Sequence, residues 1–319
     1  VKIVLTGSVA YDYLMTFPGY FREHFLADKL DQISLSFLVE TMTLRRGGVA
    51  PNIGYTLALL GGKPQLMATV GEDFEDYRQW LENKGIDTSL AKVVPGVFTA
   101  SFFANTDRSN AQIASFYPGA MAFASQLSFR TWQGERPDLV VISPNDPGAM
   151  NQYVQECAEL GIPYFYDPSQ QIVRLDAASL RKGVESCQAL FVNDYEYGLI
   201  EKATGLDIQS ILNYAAFVVV TRGENGADIY TRAGEIHIPV VPAALIVDPT
   251  GVGDAFRGGF LAGYQRGWGL ELCGQIGALA ATYCLEQAGP QSHHYTTQEF
   301  VARFRLYYED QGQLDALFE

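Results

Sequence analysis

Short apolar runs alternate along this chain with longer stretches in which apolar residues return every three or four positions. Residues 1–6, 139–143, 164–167, 189–193 and 217–221 are continuous, strand-sized runs. That is the pattern of strands covered on both faces. Residues 52–60 predict a helix stopped by Gly61-Gly62, and residues 149–160 one stopped by Gly161 with Pro163 just beyond. Residues 253–266 and 272–287 predict two further helices, rich in Gly and Ala and so able to pack closely. The alternation predicts an α/β fold with a mostly parallel sheet and helices on both sides. Ligands in such folds sit beyond the carboxyl ends of the strands. Polar clusters follow the apolar runs where this requires them: Asp167-Pro168-Ser169-Gln170-Gln171, Asn193-Asp194-Tyr195-Glu196 and Thr221-Arg222-Gly223. Two regions, about 11–46 and 97–118, instead carry alternating and aromatic segments. They predict a small β-rich lid inserted into one domain spanning residues 1–319.

Composition narrows the function classes. The 319 residues are 48% hydrophobic and 18% charged, enough for a core without disulfide or metal staples. The longest apolar runs are strand-sized, so no membrane span is expected. The first residues read as a core strand, not a secretory signal, which predicts a cytoplasmic protein. A formal net charge of −14 opposes binding to nucleic acid or to an anionic membrane. Cys157, Cys187, Cys273 and Cys284 lack C-x-x-C spacing and are expected to be reduced core residues. The four histidines form no H-E-x-x-H, and His293-His294 would point apart in regular structure. Neither G-x-x-x-x-G-K-[ST] nor a G-x-G-x-x-G after the first strand occurs, which disfavours a Walker-type nucleotidase and a dinucleotide-dependent oxidoreductase.

Two glycine-bearing segments carry candidate chemistry. In Asp248-Pro249-Thr250-Gly251-Val252-Gly253-Asp254-Ala255-Phe256-Arg257-Gly258-Gly259 the glycines precede an apolar helix, a turn whose N–H groups can face an anion. Asp254 falls in the first helical turn, where a bound phosphate would repel it. A general base that meets an incoming hydroxyl accounts for a carboxylate there, and so does a helix cap. In Arg46-Gly47-Gly48-Val49-Ala50-Pro51-Asn52-Ile53-Gly54 the paired glycines let the backbone lie against a ligand, and Asn52 can hydrogen-bond hydroxyl groups. An ordinary turn and helix start would read the same.

Together, and separated by about two hundred residues, these segments resemble the G-G-x-x-x-N and D-x-T-G-x-G-D signatures of the ribokinase (PfkB) family of carbohydrate and nucleoside kinases. The resemblance implies a ribokinase-like three-layer α/β/α core with a β lid, Mg-ATP as donor and in-line transfer to a hydroxyl. The catalytic base falls on Asp254 and the anion hole on Gly251, Val252 and Gly253. Gly7-Ser8-Val9-Ala10-Tyr11-Asp12, the stretches 34–39 and 111–121, Asp167-Pro168-Ser169-Gln170-Gln171 and Phe191-Val192-Asn193-Asp194-Tyr195-Glu196 are similar to bacterial adenosine kinases of the mycobacterial kind. Gly54 stands where Ala is common, and Val252 replaces an Ala of the anion hole.

By that resemblance Asp12, Gly48 and Asn52 hold the ribose, with Asp12 a bidentate acceptor. Phe102 and Phe116 stack on the purine, and Ser8, Ser36, Gln170 and Gln171 meet its polar edge. A nucleoside, half flat ring and half polyol, needs both kinds of contact, although either Phe alone could equally be lid core. Arg174 would neutralise the transferring phosphate or form a surface ion pair. Asn193 and Glu196 would organise Mg²⁺ through water. Thr221, Gly223 and Gly226, with Asn193 and Thr250, would meet ATP. The loop of Asp248 and Thr250 would offer carbonyl oxygens to a monovalent cation such as K⁺. The expected reaction is adenosine plus ATP giving AMP plus ADP, for purine salvage, with a homodimer formed through the lid. The rival expectations are a sugar kinase, a broad nucleoside kinase and a silent nucleotide-binding regulator. An intact Asp254 beside its glycines counts against the last.

Overall fold

Successive strand residues face opposite sides of a sheet, and the core runs here are apolar at both parities. The computed structural model describes residues 1–25, 31–32 and 34–318. In it strand β1 (Ile3–Thr6) sends Ile3 and Leu5 into one apolar cluster and Val4 into a second on the other face. Val141 and Phe165 join the first cluster, and Ile142 and Tyr166 the second. The sheet is therefore buried on both sides, as parallel sheets are.

Numbered along the chain, the eight strands run from one edge as β4 (Gln65–Met67), β1, β9 (Leu139–Ile142), β10 (Tyr164–Tyr166), β11 (Ala189–Asn193), β12 (Phe217–Thr221), β13 (Ala227–Thr231) and β14 (Gly234–Ile238). Pairing is parallel from β4 to β12 and antiparallel from β12 to β14. Strands β13 and β14 do not appear in the sequence reading. Asp228 and His237 face each other in them and interrupt the apolar pattern that marks the other strands. Helices α1 (Val49–Leu59), α7 (Val252–Tyr264), α8 (Leu270–Leu285) and α9 (Thr297–Phe304) contribute to the first cluster. The second cluster is built with α3 (Pro147–Leu160), α4 (Ala177–Ser186), α5 (Asp194–Thr204) and the single turn α6 (Ile208–Ile211).

A four-stranded sheet stands apart, in the order β3 (Thr41–Gly47), β2 (Ala10–Thr16), β7 (Ala100–Thr106), β8 (Gln112–Tyr117). Its central pair β2–β7 is parallel and its outer pairs are antiparallel. Part of the segment expected to form a lid, residues 26–30 and 33, lies outside the described residues. Beneath this sheet lie α2 (Glu75–Asn83) and the two-stranded pair β5 (Thr69–Val70) and β6 (Lys92–Val93). The ring of Tyr11 on β2 rests on Tyr77 of α2, and its hydroxyl donates to Asp73 O at 3.0 Å. Among the described residues no helix is long and apolar enough to cross a membrane. All four cysteines are buried and free.

Candidate active site

The parallel strands end on a common rim. Gly7 and Ser8 follow β1, Asp167 follows β10, and Asn193 and Thr221 close β11 and β12. Helix α7 points its N-terminus at this rim. Gly251 caps it at φ +79°, a left-handed conformation that favours glycine, and a Cβ there would meet Pro290 Cβ at 2.3 Å. Among the described residues the N–H groups of Gly251, Gly253 and Asp254 have no protein partner, and that of Val252 makes only a long contact of 3.4 Å to Pro249 O. Unsatisfied donors at the positive end of a helix form an anion site.

Asp254 lies in that first turn. Its Oδ2 accepts from Asn52 Nδ2 at 2.9 Å, joining the start of α7 to the start of α1. Burial pushes its carboxyl up to about 6, with Glu196 adding to the rise, while Arg257 and the Asn52 bond oppose it. Gly48 makes the entry to α1 possible. At φ +96° its Cβ position lies 2.4 Å from Ser8 O. Ser8 Oγ accepts from Val49 N at 3.2 Å, so this hydroxyl helps start α1.

Four residues share a row on one face of the small sheet. Arg45 pairs with Asp12, Asp12 with Phe102, and Phe102 with Phe116 across all four strands. Arg45 Nη1 donates to Asp248 Oδ2 at 2.7 Å, which ties this face to the loop that leads to residues 251–254. Burial raises the Asp12 carboxyl, Arg45 lowers it, and Asp248 adds to the rise. Phe102 is half-buried, and Phe116 is 51% exposed at the sheet edge.

The remaining sequence candidates divide. Gln171 is buried and Gln170 exposed on the turn after β10, and Ser36 is exposed in a segment without regular structure. Arg174 is exposed, its Nη1 3.5 Å from Gln171 Oε1. Asn193 and Glu196 form a reciprocal capping box on α5: Asn193 Oδ1 accepts from Glu196 N at 2.7 Å and Glu196 Oε2 accepts from Asn193 N at 2.8 Å. Glu196 Oε1 accepts from Ser169 Oγ at 3.0 Å. Gly223 (φ +57°) and Gly226 (φ +85°) shape the turn after β12, and Thr221 Oγ1 lies 3.4 Å from Val192 O. Thr250 N donates to Asp248 Oδ1 at 2.9 Å, so the Asp248 carboxylate already has two partners.

Two residues were missed. Arg257, one helical turn after Asp254, is 8% exposed, and its Nη2 donates to Asp167 Oδ1 at 2.7 Å. Burial pushes the Asp167 carboxyl up against the pull of this guanidinium, and Arg257 remains the charged partner. A Cβ on Gly253 would lie 2.9 Å from Arg257 Nη1, so the guanidinium rests against the anion nest. A lone Arg in the apolar run Ala255-Phe256-Arg257-Gly258-Gly259-Phe260 was the signal for it. The second is Gln291, buried behind Asn52 with no local sequence cue.

Residues 8–297 match the profile of the pfkB family carbohydrate kinases. The chain belongs to this family. It is a kinase, a phosphotransferase to a hydroxyl acceptor, on a ribokinase-like fold. The nucleoside kinase of Methanocaldococcus jannaschii is 29% identical to it over 95% of this chain and 96% of that protein. The ligand-free nucleoside kinase of Burkholderia thailandensis is 38% identical, covers 95% of this chain and 100% of its own, and superposes with a TM-score of 0.87. The same protein in complex with inosine gives 37% identity and a TM-score of 0.84 over 96% of this chain and 98% of that one. The adenosine kinase of Sinorhizobium meliloti, at 20% identity and a TM-score of 0.71 over 91% and 95%, shows the shared fold alone.

Family kinases use ATP, and magnesium accompanies its phosphates. Among the described residues no three His, Cys, Asp or Glu side chains converge to bind a metal directly. Asp167, Glu196 and Asp254 nonetheless influence one another around the guanidinium of Arg257, and Asp167 Oδ2 is buried without a partner among the described residues. Three carboxylates against one cation leave this corner of the kinase anionic. It suits a hydrated divalent ion held by phosphates better than one caged by protein.

Proposed function

We propose that this kinase transfers the γ-phosphoryl of ATP to the 5′-hydroxyl of a nucleoside, with adenosine among its acceptors. The observation that carries this reading is the row Asp12–Phe102–Phe116, tied by Arg45 to the Asp248 loop just ahead of the Asp254 nest. It sets a carboxylate for ribose hydroxyls beside two aromatic faces for a base, on the side toward a general base and an anion site. The names of the relatives, and inosine bound to one of them, support a nucleoside over a free sugar.

In this mechanism Asp254 accepts the proton of the 5′-hydroxyl as the new O–P bond forms and the bond from the γ-phosphorus to the β–γ bridging oxygen breaks, with ADP as the leaving group. The N–H groups of Gly251, Gly253 and Asp254, which have no partner among the described residues, would face the oxygens of the transferring group, and Arg257 would supply a fixed positive charge beside Gly253. Arg174, exposed on the turn after β10, would meet phosphate from the solvent side. Magnesium bound with ATP would screen the phosphate charge. The small sheet acts as a lid that excludes water, the competing acceptor.

Base selection is broad in this reading. Ser36 and Gln170 are exposed, and among the described residues neither makes a hydrogen bond to a neighbouring side chain that would fix its orientation, so they can serve adenosine, inosine or guanosine. Met42, Leu44, Phe103 and Ile113 are exposed on the opposite face of the small sheet. We expect a second copy of the chain to cover that patch, and sedimentation should show a dimer.

Replacing Asp254 tests the chemistry. D254N should bind nucleoside as the wild type does and lose about 10²–10⁴-fold in kcat. Unchanged turnover would remove Asp254 from the base role.

A further inference from the structure

Asn52 meets Asp254 through its amide, and an amide can present either a donor or an acceptor. Its orientation decides whether the carboxylate is stabilised or repelled. Behind Asn52 lies a chain of hydrogen bonds that leaves no freedom in this choice. Trp80 Nε1 lies 3.2 Å from Gln291 Oε1. An indole N–H can only donate, so Gln291 must turn its oxygen to Trp80 and its NH₂ the other way. That NH₂ reaches Asn52 Oδ1 at 2.9 Å and also the Tyr77 hydroxyl. The Tyr77 hydroxyl in turn donates to Gly47 O at 2.9 Å, and a backbone carbonyl can only accept. Both ends of the chain are therefore fixed by groups with one polarity. Asn52, its oxygen held by Gln291, is left with only its NH₂ for Asp254.

We propose that Gln291 and Trp80 are positioning residues that lock the Asn52 amide with its N–H toward Asp254, keeping that carboxylate ionised and ready to take a proton. The inference rests on the reading of Asp254 as the base. The hydrogen-bonded groups sit in packed surroundings. Tyr77 is fully buried, and Gln291 is 7% exposed. The Trp80 ring stacks on Tyr55 and carries Arg46 and Lys84 over it at 4.9 and 4.7 Å. A flipped Asn52 would set its oxygen against the carboxylate and its NH₂ against the NH₂ of Gln291, losing both bonds.

The charges facing Asp254 come from several elements. Arg257 lies on its own helix α7, Glu196 on α5, Asp167 on the turn after β10, and the neutral thiol of Cys284 on α8. Arg257 is the only cation among these groups, with two carboxylates opposed to it. The Asn52 N–H is the neutral contact that favours the ionised base from the α1 side.

The test is the dependence of kcat on pH, between about pH 5 and pH 9, at saturating nucleoside and Mg-ATP. Q291E replaces the donor to Asn52 by an acceptor and should flip the amide. The acid limb should then move up by about one unit, with turnover largely recovered on the alkaline side. A charge acting through space would move the limb equally without Asn52, so the same change is made in N52A. There Q291E should add no further shift. Q291M, uncharged and of similar length, should move the limb in the same direction by less, and it stands in for Q291E if that variant does not fold. A folded Q291E or Q291M whose acid limb coincides with wild type would overturn the proposal. So would a Q291E shift of equal size in the N52A background. Full activity in D254N would instead overturn the base reading, and the two failures are read from different variants.

Discussion

In the proposed mechanism Asp254 is the base, and its environment then sets a pH dependence. A base works only when ionised, and burial lifts its carboxyl to about 6. Turnover should therefore be flat above neutrality and fall as pH drops through about 6, roughly ten-fold per unit below that. A rate that rises toward acid would contradict the assignment. Arg257 makes a second prediction at this scale. R257M leaves Asp167 buried without its cation, which costs about 3 kcal/mol where its carboxyl stays ionised. Asp167 can escape that cost by protonation, and its folded-state value lies above the ordinary carboxylate range. The loss of stability in R257M should therefore grow toward about pH 9 and shrink toward about pH 5, where Asp167 is protonated in the folded chain with or without Arg257. Melting curves at the two pH values read this directly. The meeting of Gly251, Gly253, Asp254 and Asn52 at one helix start was legible because turn glycines and a carboxylate in a first helical turn are local signals. Gln291 was not, because its partners Trp80 and Asn52 lie 211 and 239 residues away in sequence.

Helices α7 and α8 carry the site as a unit. A Cβ on Gly259 would lie 2.8 Å from Ile276 O, and one on Gly277 2.7 Å from Phe256 O. The two backbones thus touch through glycines on both sides, and the Gly- and Ala-rich composition of these segments foretold it. G277A should destabilise the fold by about 1–3 kcal/mol through overpacking, measured by denaturant melting. Because α7 presents Asp254, the variant should also lose turnover in proportion to the displacement of that helix. The small sheet makes a different prediction. F102A and F116A remove aromatic faces from the row that includes Asp12. Each should raise the KM for nucleosides several-fold while leaving kcat nearly intact. An unchanged KM would return both residues to simple lid packing. The alternating segments announced these strands, but the parallel β2–β7 pairing that sets the register of Asp12 with Phe102 was not in the pattern.

For the whole molecule, the apolar runs predicted five of the parallel strands and their burial on two faces, because a strand covered on both sides must be apolar at every position. The short strand β4 and the hairpin β13–β14 escaped that signal, the first by its length and the second by its polar edge. The capping box of Asn193 and Glu196 shows the limit of reading spacing alone. The same two residues would be needed to start α5 whether or not phosphates and magnesium pass nearby. The central claim concerns the acceptor, and one measurement reaches it. ADP release from Mg-ATP should be followed with adenosine, inosine, guanosine, ribose, fructose or no acceptor. The account predicts fast release with nucleosides, adenosine included, and little with free sugars or water. Release driven by ribose or fructose alone, with nucleosides inert, would keep the fold and the Asp254 nest but contradict the placing of a nucleoside against Asp12, Phe102 and Phe116.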